Sequence, residues 1–137
     1  MDTNERSPAA PEFAVGGSLL EALAASDFAR LSTVLDEGAS LCALLPRGFR
    51  EWRGAAEIVA TFEGWFGDVE HFELIDASLG RVGSRLQMRW QVRLRGARLG
   101  RQACIVEQFA YADTGSTGRI QSMQLLCSGF CPEQTDV

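Results

Sequence analysis

The chain has 137 residues, 46% hydrophobic and 23% charged, with a net charge of -5 at pH 7. That describes one globular domain able to bury roughly 68% of the surface its unfolded chain exposes. No apolar run approaches the roughly 20 residues of a membrane span, and the acidic balance disfavours nucleic acid as a partner. The polar opening segment has no signal-peptide core, so the expected location is cytoplasmic.

All 13 basic residues are arginine, which excludes lysine nucleophiles and Schiff bases. Four cysteines in no zinc spacing and a single histidine give no basis for a metal site, and no cofactor is expected.

Residues 1–17 read as a loose polar arm and 132–137 as a tail, flanking one domain over 18–131. Ser18 is a candidate helix cap ahead of Leu19, Leu20 and Leu23. Asp27 caps a second helix with a stripe of Phe28, Leu31, Val34 and Leu35, which Gly38 stops. Residues 39–45 form a short apolar strand, Pro46 to Gly48 turns the chain, and 49–53 pair back as a hairpin. Gly54 opens a third helix whose one-sided stripe is Ile58, Val59, Phe62, Trp65 and Phe66.

From Val69 the period becomes two. Residues 70–79 form a strand, and after a glycine turn 85–95 alternate clearly. Leu86, Met88, Trp90, Val92 and Leu94 share one face, and Arg85, Gln87, Arg89, Gln91, Arg93 and Arg95 share the other, a solvated or subunit-facing row.

The stretch from Cys104 to Phe130 reads as two more strands around a turn at 113–118. Its first run places Ala103, Ile105, Glu107, Phe109 and Tyr111 on one face, and Cys104, Val106, Gln108 and Ala110 on the other. With the aromatic face turned inward, Glu107 lies among apolar neighbours, where a carboxyl must be hydrogen-bonded, paired or kept neutral. Glu107 is therefore the leading acid/base candidate. His71, flanked by Glu70 and Glu73, is a second candidate at the cavity rim. Trp90, Met88, Phe109, Tyr111, Met123, Leu125 and Cys127 are expected to line the cavity, with Trp65 and Arg53 towards its mouth. Cys127 and Cys131 lie about 13 Å apart if the segment is extended, too far for a disulfide, so all four thiols are expected free.

Helices preceding long strands imply an α+β domain, a cone-shaped curved antiparallel sheet wrapped over three helices around an interior cavity. The element order, with Asp27-Phe-Ala-Arg-Leu31, Trp52-Arg-Gly-Ala-Ala-Glu-Ile58 and Gly118-Arg-Ile-Gln-Ser-Met123, resembles the nuclear transport factor 2-like superfamily over 18–130. Ketosteroid isomerases and SnoaL-like polyketide cyclases belong to that superfamily. Glu107-Gln-Phe-Ala-Tyr111 is similar to the isomerase segment holding a buried oxyanion-hole Asp, which implies an acid kept neutral by its apolar site.

Other positions depart from the resemblance. Ala43 stands where the isomerases carry their proton-shuttling Asp, and Leu19 where they carry the oxyanion-hole Tyr. Met88, Trp90 and Val92 occupy the strand on which limonene epoxide hydrolase-like members place charged residues, and His71 has no second histidine for dehydratase chemistry. The SnoaL-like cyclases, which lean on one carboxylate in an apolar cavity, are the enzyme group whose demands are most nearly met. The resemblance also implies a homodimer through the outer sheet face, assigned to Val106, Ala110 and Leu126. The expected function is binding of a small hydrophobic, carbonyl-containing metabolite. It is either coupled to cofactor-free cyclase or isomerase chemistry through Glu107, or a non-catalytic ligand-binding or dimerisation module.

Overall fold

The structure, a computed structural model, describes residues 11–100 and 102–134. Helix α1 spans Pro11–Ala24 and so is already formed seven residues ahead of Ser18, the expected cap. Residues 1–10 and 135–137 of the expected arm and tail lie outside the described residues. Leu19, Ala22 and Leu23 face the core. A Cβ on Gly16 would sit 2.8 Å from a Leu79 methyl, so the glycine lets α1 lie close against the sheet.

The second predicted helix is a single 3-10 segment, Phe28–Thr33, that buries Phe28 and Leu31. It stops early because the chain is claimed by the sheet: the Ile120 N–H donates to the Val34 carbonyl at 2.8 Å, and Leu35 already pairs with Ile120. Strand β1 (Leu35–Leu45) and β2 (Gly48–Arg53) form the expected hairpin. Helix α2 (Ala55–Phe66) follows Gly54 at φ +93 and buries Ile58, Phe62 and Phe66, a stripe at i, i+4 and i+8. The Glu57 carboxylate accepts the Arg53 N–H at 3.0 Å across this entry.

Strands β3 (His71–Val82), β4 (Arg85–Arg95), β5 (Cys104–Thr114), β6 (Ile120–Cys127) and the short β7 (Cys131–Pro132) complete a seven-stranded sheet. Its order is β2-β1-β6-β5-β4-β3, with β7 paired to β5. Pairing is antiparallel everywhere except β1 with β6, which run parallel, so the sheet is mixed. The helices fill its concave side. Met88, Trp90, Val92, Val106, Ala110 and Ala112 are all fully buried against them.

The small residues of β5 are needed there. Alanines at 110 and 112 leave depth for Trp90 and for Phe62 of α2, whose rings lie 6.3 Å apart.

Candidate ligand pocket

The register of the sheet sets which side chains meet on the concave face. Ala77, Trp90, Gln108 and Cys127 form one cross-strand row over β3, β4, β5 and β6. Leu79, Met88, Ala110, Leu125, Ala43 and Arg50 form the next, and Leu86, Ala112, Met123, Leu41 and Trp52 the third. Directly opposed residues share a face. The expected lining residues Met88, Trp90, Met123, Leu125 and Cys127 therefore share the concave face, where the first four are packed in the core and only Cys127 reaches the lining of a pocket.

The face of β5 that meets them is the opposite of the one expected. Gln108 points inward, and Glu107, Phe109 and Tyr111 point outward.

Among the described residues Gln108 is the one buried polar side chain, 1% exposed. Its Oε1 accepts the Trp90 indole N–H at 2.8 Å, and its Nε2 donates to Cys127 Sγ at 3.3 Å. The Gly129 N–H donates to the same sulfur at 3.3 Å. Buried polar groups need such partners, and this ladder supplies them between β4 and the bend that follows β6.

A pocket of about 530 Å³ opens at the Cys127 end of this ladder, the mouth of the cone, lined by Leu45 to Gly48, Arg50, Trp65 and Cys127 to Phe130. Three features of the chain build it. The β1–β2 hairpin supplies one wall, the last turn of α2 brings Trp65, and after β6 the chain bends at Gly129, φ +85. A Cβ on Gly129 would fall 2.6 Å from the Pro46 ring, so the bend and the hairpin touch there.

Arg98 ties the walls together. Its guanidinium donates to the Trp65 carbonyl at 2.6 Å and the Asp68 carbonyl at 3.0 Å, and lies 5.7 Å from the Phe130 ring centroid. Free carbonyls at a helix C-terminus are natural partners for a cation. Trp52 packs edge-on against Trp65, with centroids 5.8 Å apart.

Besides Phe109 and Tyr111, three expected site residues stand elsewhere: Glu107, Arg53 and His71. The Glu107 side chain is 43% exposed on the outer face, where it accepts from Arg89 at 3.3 Å and from Gln91 at 3.2 Å. The burial and the shared cavity with Met123 expected of it are absent. Arg53 alternates outward on β2, since Trp52 faces in, and among the described residues Glu107 is held by Arg89 and Gln91 rather than by Arg53.

His71 is exposed at the start of edge strand β3. It lines a separate groove of about 960 Å³ that also holds Asp27, Glu63, Asp68, Glu70 and Glu73. No group of three or more His, Cys, Asp or Glu side chains among the described residues could hold a metal ion.

The outer arginine row is matched by acids. Arg89 pairs with Asp76 as well as Glu107, Arg93 with Glu73 and Glu133, and Arg85 with Asp113. The hydrogen bond from Arg89 holds the Asp76 carboxyl below its ordinary pKa, and that from Arg93 does the same for Glu133. Burial and the neighbouring Glu51 push the Cys42 thiol up.

Beside the paired charges runs an apolar row, Phe49, Leu44, Leu126 and Phe109, aligned by register over β2, β1, β6 and β5. Phe49, Leu44 and Leu126 are each more than half exposed. Val106 and Ala110, expected on this face, are inside. All four cysteines are free thiols, with Cys104 and Cys127 buried.

Arg47 and Arg50 were not among the expected site residues. The signal for Arg50 was present in the alternation of β2, where it shares the face of Trp52.

No protein-family model matches the chain, and no curated protein matches it in sequence. Solved structures do. An LEH-like epoxide hydrolase from M. tuberculosis superposes with a TM-score of 0.65 at 18% identity, covering 86% of this chain and 83% of that one. A protein from Xanthomonas campestris assigned as a polyketide cyclase gives 0.65 at 18% identity, covering 85% and 89%. One from Shewanella putrefaciens assigned as a SnoaL-like polyketide cyclase gives 0.65 at 14%, covering 87% and 90%. The chain has the nuclear transport factor 2-like fold that the resemblance implies. Among the solved structures that share this fold are ones assigned as SnoaL-like polyketide cyclases and an LEH-like epoxide hydrolase.

Proposed function

We propose that this chain binds a small, largely apolar molecule at the mouth of its cone, with Trp65, Leu45 and Phe130 as the apolar walls. The observation that carries this reading is the pocket of about 530 Å³, of a size usual for small-molecule sites. It opens beside the one buried polar ladder of the described core, Trp90, Gln108 and Cys127. Concave, mostly apolar sites with a few convergent polar groups are the ordinary form of small-ligand pockets.

Binding without chemistry is favoured over a cyclase or isomerase reaction through Glu107. Acid/base catalysis needs the carboxyl within hydrogen-bond reach of the reacting atom, and Glu107 is held by Arg89 on the opposite side of the sheet. A thermal-shift screen of small aromatic compounds tests the reading. Stabilisation should vanish in Trp65→Ala and persist in Glu107→Gln, whereas loss in Glu107→Gln alone would move the site to the outer face.

We further propose that a second copy of the chain covers the outer row of Phe49, Leu44, Leu126 and Phe109. Alternating arginines and carboxylates beside that row offer both signs of charge, as a self-complementary two-fold contact needs. The pairing of the outer arginines with acids also supports the expectation that nucleic acid is not a partner. Four free thiols suit the reducing cytoplasm expected from the sequence.

A further inference from the structure

We infer that the ligand of the mouth pocket is an organic anion, a carboxylate on a flat apolar body, held by Arg47 and Arg50. The inference rests on the pocket reading above and names the chemistry of its ligand.

Arg47 stands in the hairpin turn, and Arg50 projects from the concave face of β2 at the end of the row that passes through Ala43, Leu125, Ala110 and Met88. Neither makes an ion pair or side-chain hydrogen bond among the described residues. Arg85, Arg89 and Arg93 on the outer face, by contrast, each hold at least one carboxylate. The pocket wall carries no aspartate or glutamate to neutralise them. In a protein with net charge -5, two unmatched guanidiniums at one opening form a local positive field against the overall balance.

The guanidinium fork fits a planar carboxylate through paired N–H donors and also stacks on aromatic surface. Trp65 and Phe130 provide that surface, and Arg98 is unavailable as a third anion ligand because it is spent on the Trp65 and Asp68 carbonyls. Arg47 and Arg50 are both exposed and hydrated, and a neutral ketone or hydrocarbon would gain no ion pair from either. A phosphate with no apolar body would leave the aromatic walls uncovered.

The test is isothermal titration of the full chain with 2-naphthoate and with its methyl ester, which shares the ring system and lacks the charge. The carboxylate should bind at least about tenfold more tightly than the ester, the scale of one charge-assisted hydrogen bond. Arg47→Gln and Arg50→Gln should each weaken the carboxylate about tenfold and leave the ester unchanged. Arg53→Gln, on the outer face, should change neither.

Equal affinity for acid and ester, or an unchanged carboxylate affinity in the double variant, overturns the anion assignment. Ester binding that Trp65→Ala still abolishes would then leave the pocket reading standing. Absence of binding by either compound, shown by no heat at two temperatures and no thermal stabilisation, overturns both.

Discussion

Replacing Gln108 by Leu keeps the volume of the side chain and removes both of its polar contacts. The Trp90 indole N–H, fully buried and 2.8 Å from Gln108 Oε1, is then left with no acceptor. An orphaned buried donor costs about 1–3 kcal/mol, and the weaker contact to Cys127 sulfur adds little. The apolar gain of leucine offsets part of this, so the expected loss is about 2 kcal/mol.

Trp90→Phe orphans the other end and also leaves a void, with an expected cost of about 2–4 kcal/mol. In the double variant neither orphan remains. The two losses should therefore sum to about 1–2 kcal/mol more than the double variant shows. Urea unfolding followed by far-UV circular dichroism gives the four stabilities, provided the m-values agree. Additivity within about 0.5 kcal/mol would mean that Trp90 and Gln108 do not meet, and the inward face of β5 would have to be reassigned.

Glu107→Gln should change stability by less than about 1 kcal/mol, because its ion pair with Arg89 is exposed, and urea unfolding reads this directly. Gly129→Ala should cost about 1–3 kcal/mol and weaken ligand binding, since φ +85 is strained for alanine and its Cβ would strike the Pro46 ring; unaltered melting would refute the bend. The depressed carboxyls of Asp76 and Glu133 stabilise the fold above their ordinary values of 3.8 and 4.5, and that contribution is lost as pH falls through their lower folded values. Acid titration of Arg89→Gln and Arg93→Gln should accordingly show a shallower loss below about pH 4 than the parent chain. Leu126→Glu should shift sedimentation from dimer to monomer at micromolar concentration, and an unchanged dimer would remove the outer row as the interface.

Much of the fold was legible because β4 alternates without interruption from Arg85 to Arg95 and α2 carries a strongly one-sided stripe. The inward face of β5 was not, because both of its faces alternate acceptably. The aromatic side looks like core, yet the register with β4 places Gln108 opposite Trp90, and the helices require the alanine side to leave depth for Phe62. One residue of parity moves Glu107 out of the cone.

The parallel pairing of β1 with β6 joins segments far apart in sequence, and local periodicity carries no trace of it. Gly16 and Gly17 disguise the helical turns of α1 ahead of Ser18, although close packing against Leu79 explains Gly16. The second helix failed because Val34 and Leu35, helical by spacing, are buried equally well by entering the sheet. At the pocket, Trp65 and Cys127 were readable as apolar wall residues. Arg50 and Arg53 lie on opposite faces of β2, and it is Arg50 that shares the inward face with Trp52.

The most direct test of a ligand site at the cone mouth is a titration of isotopically labelled protein with 2-naphthoate, followed by amide and indole NMR shifts. Shifts confined to Leu45 through Arg50, the Trp65 indole and Cys127 through Phe130 are the predicted result. Shifts centred on Glu107, Phe109 and Tyr111, or on the His71 groove, would contradict it.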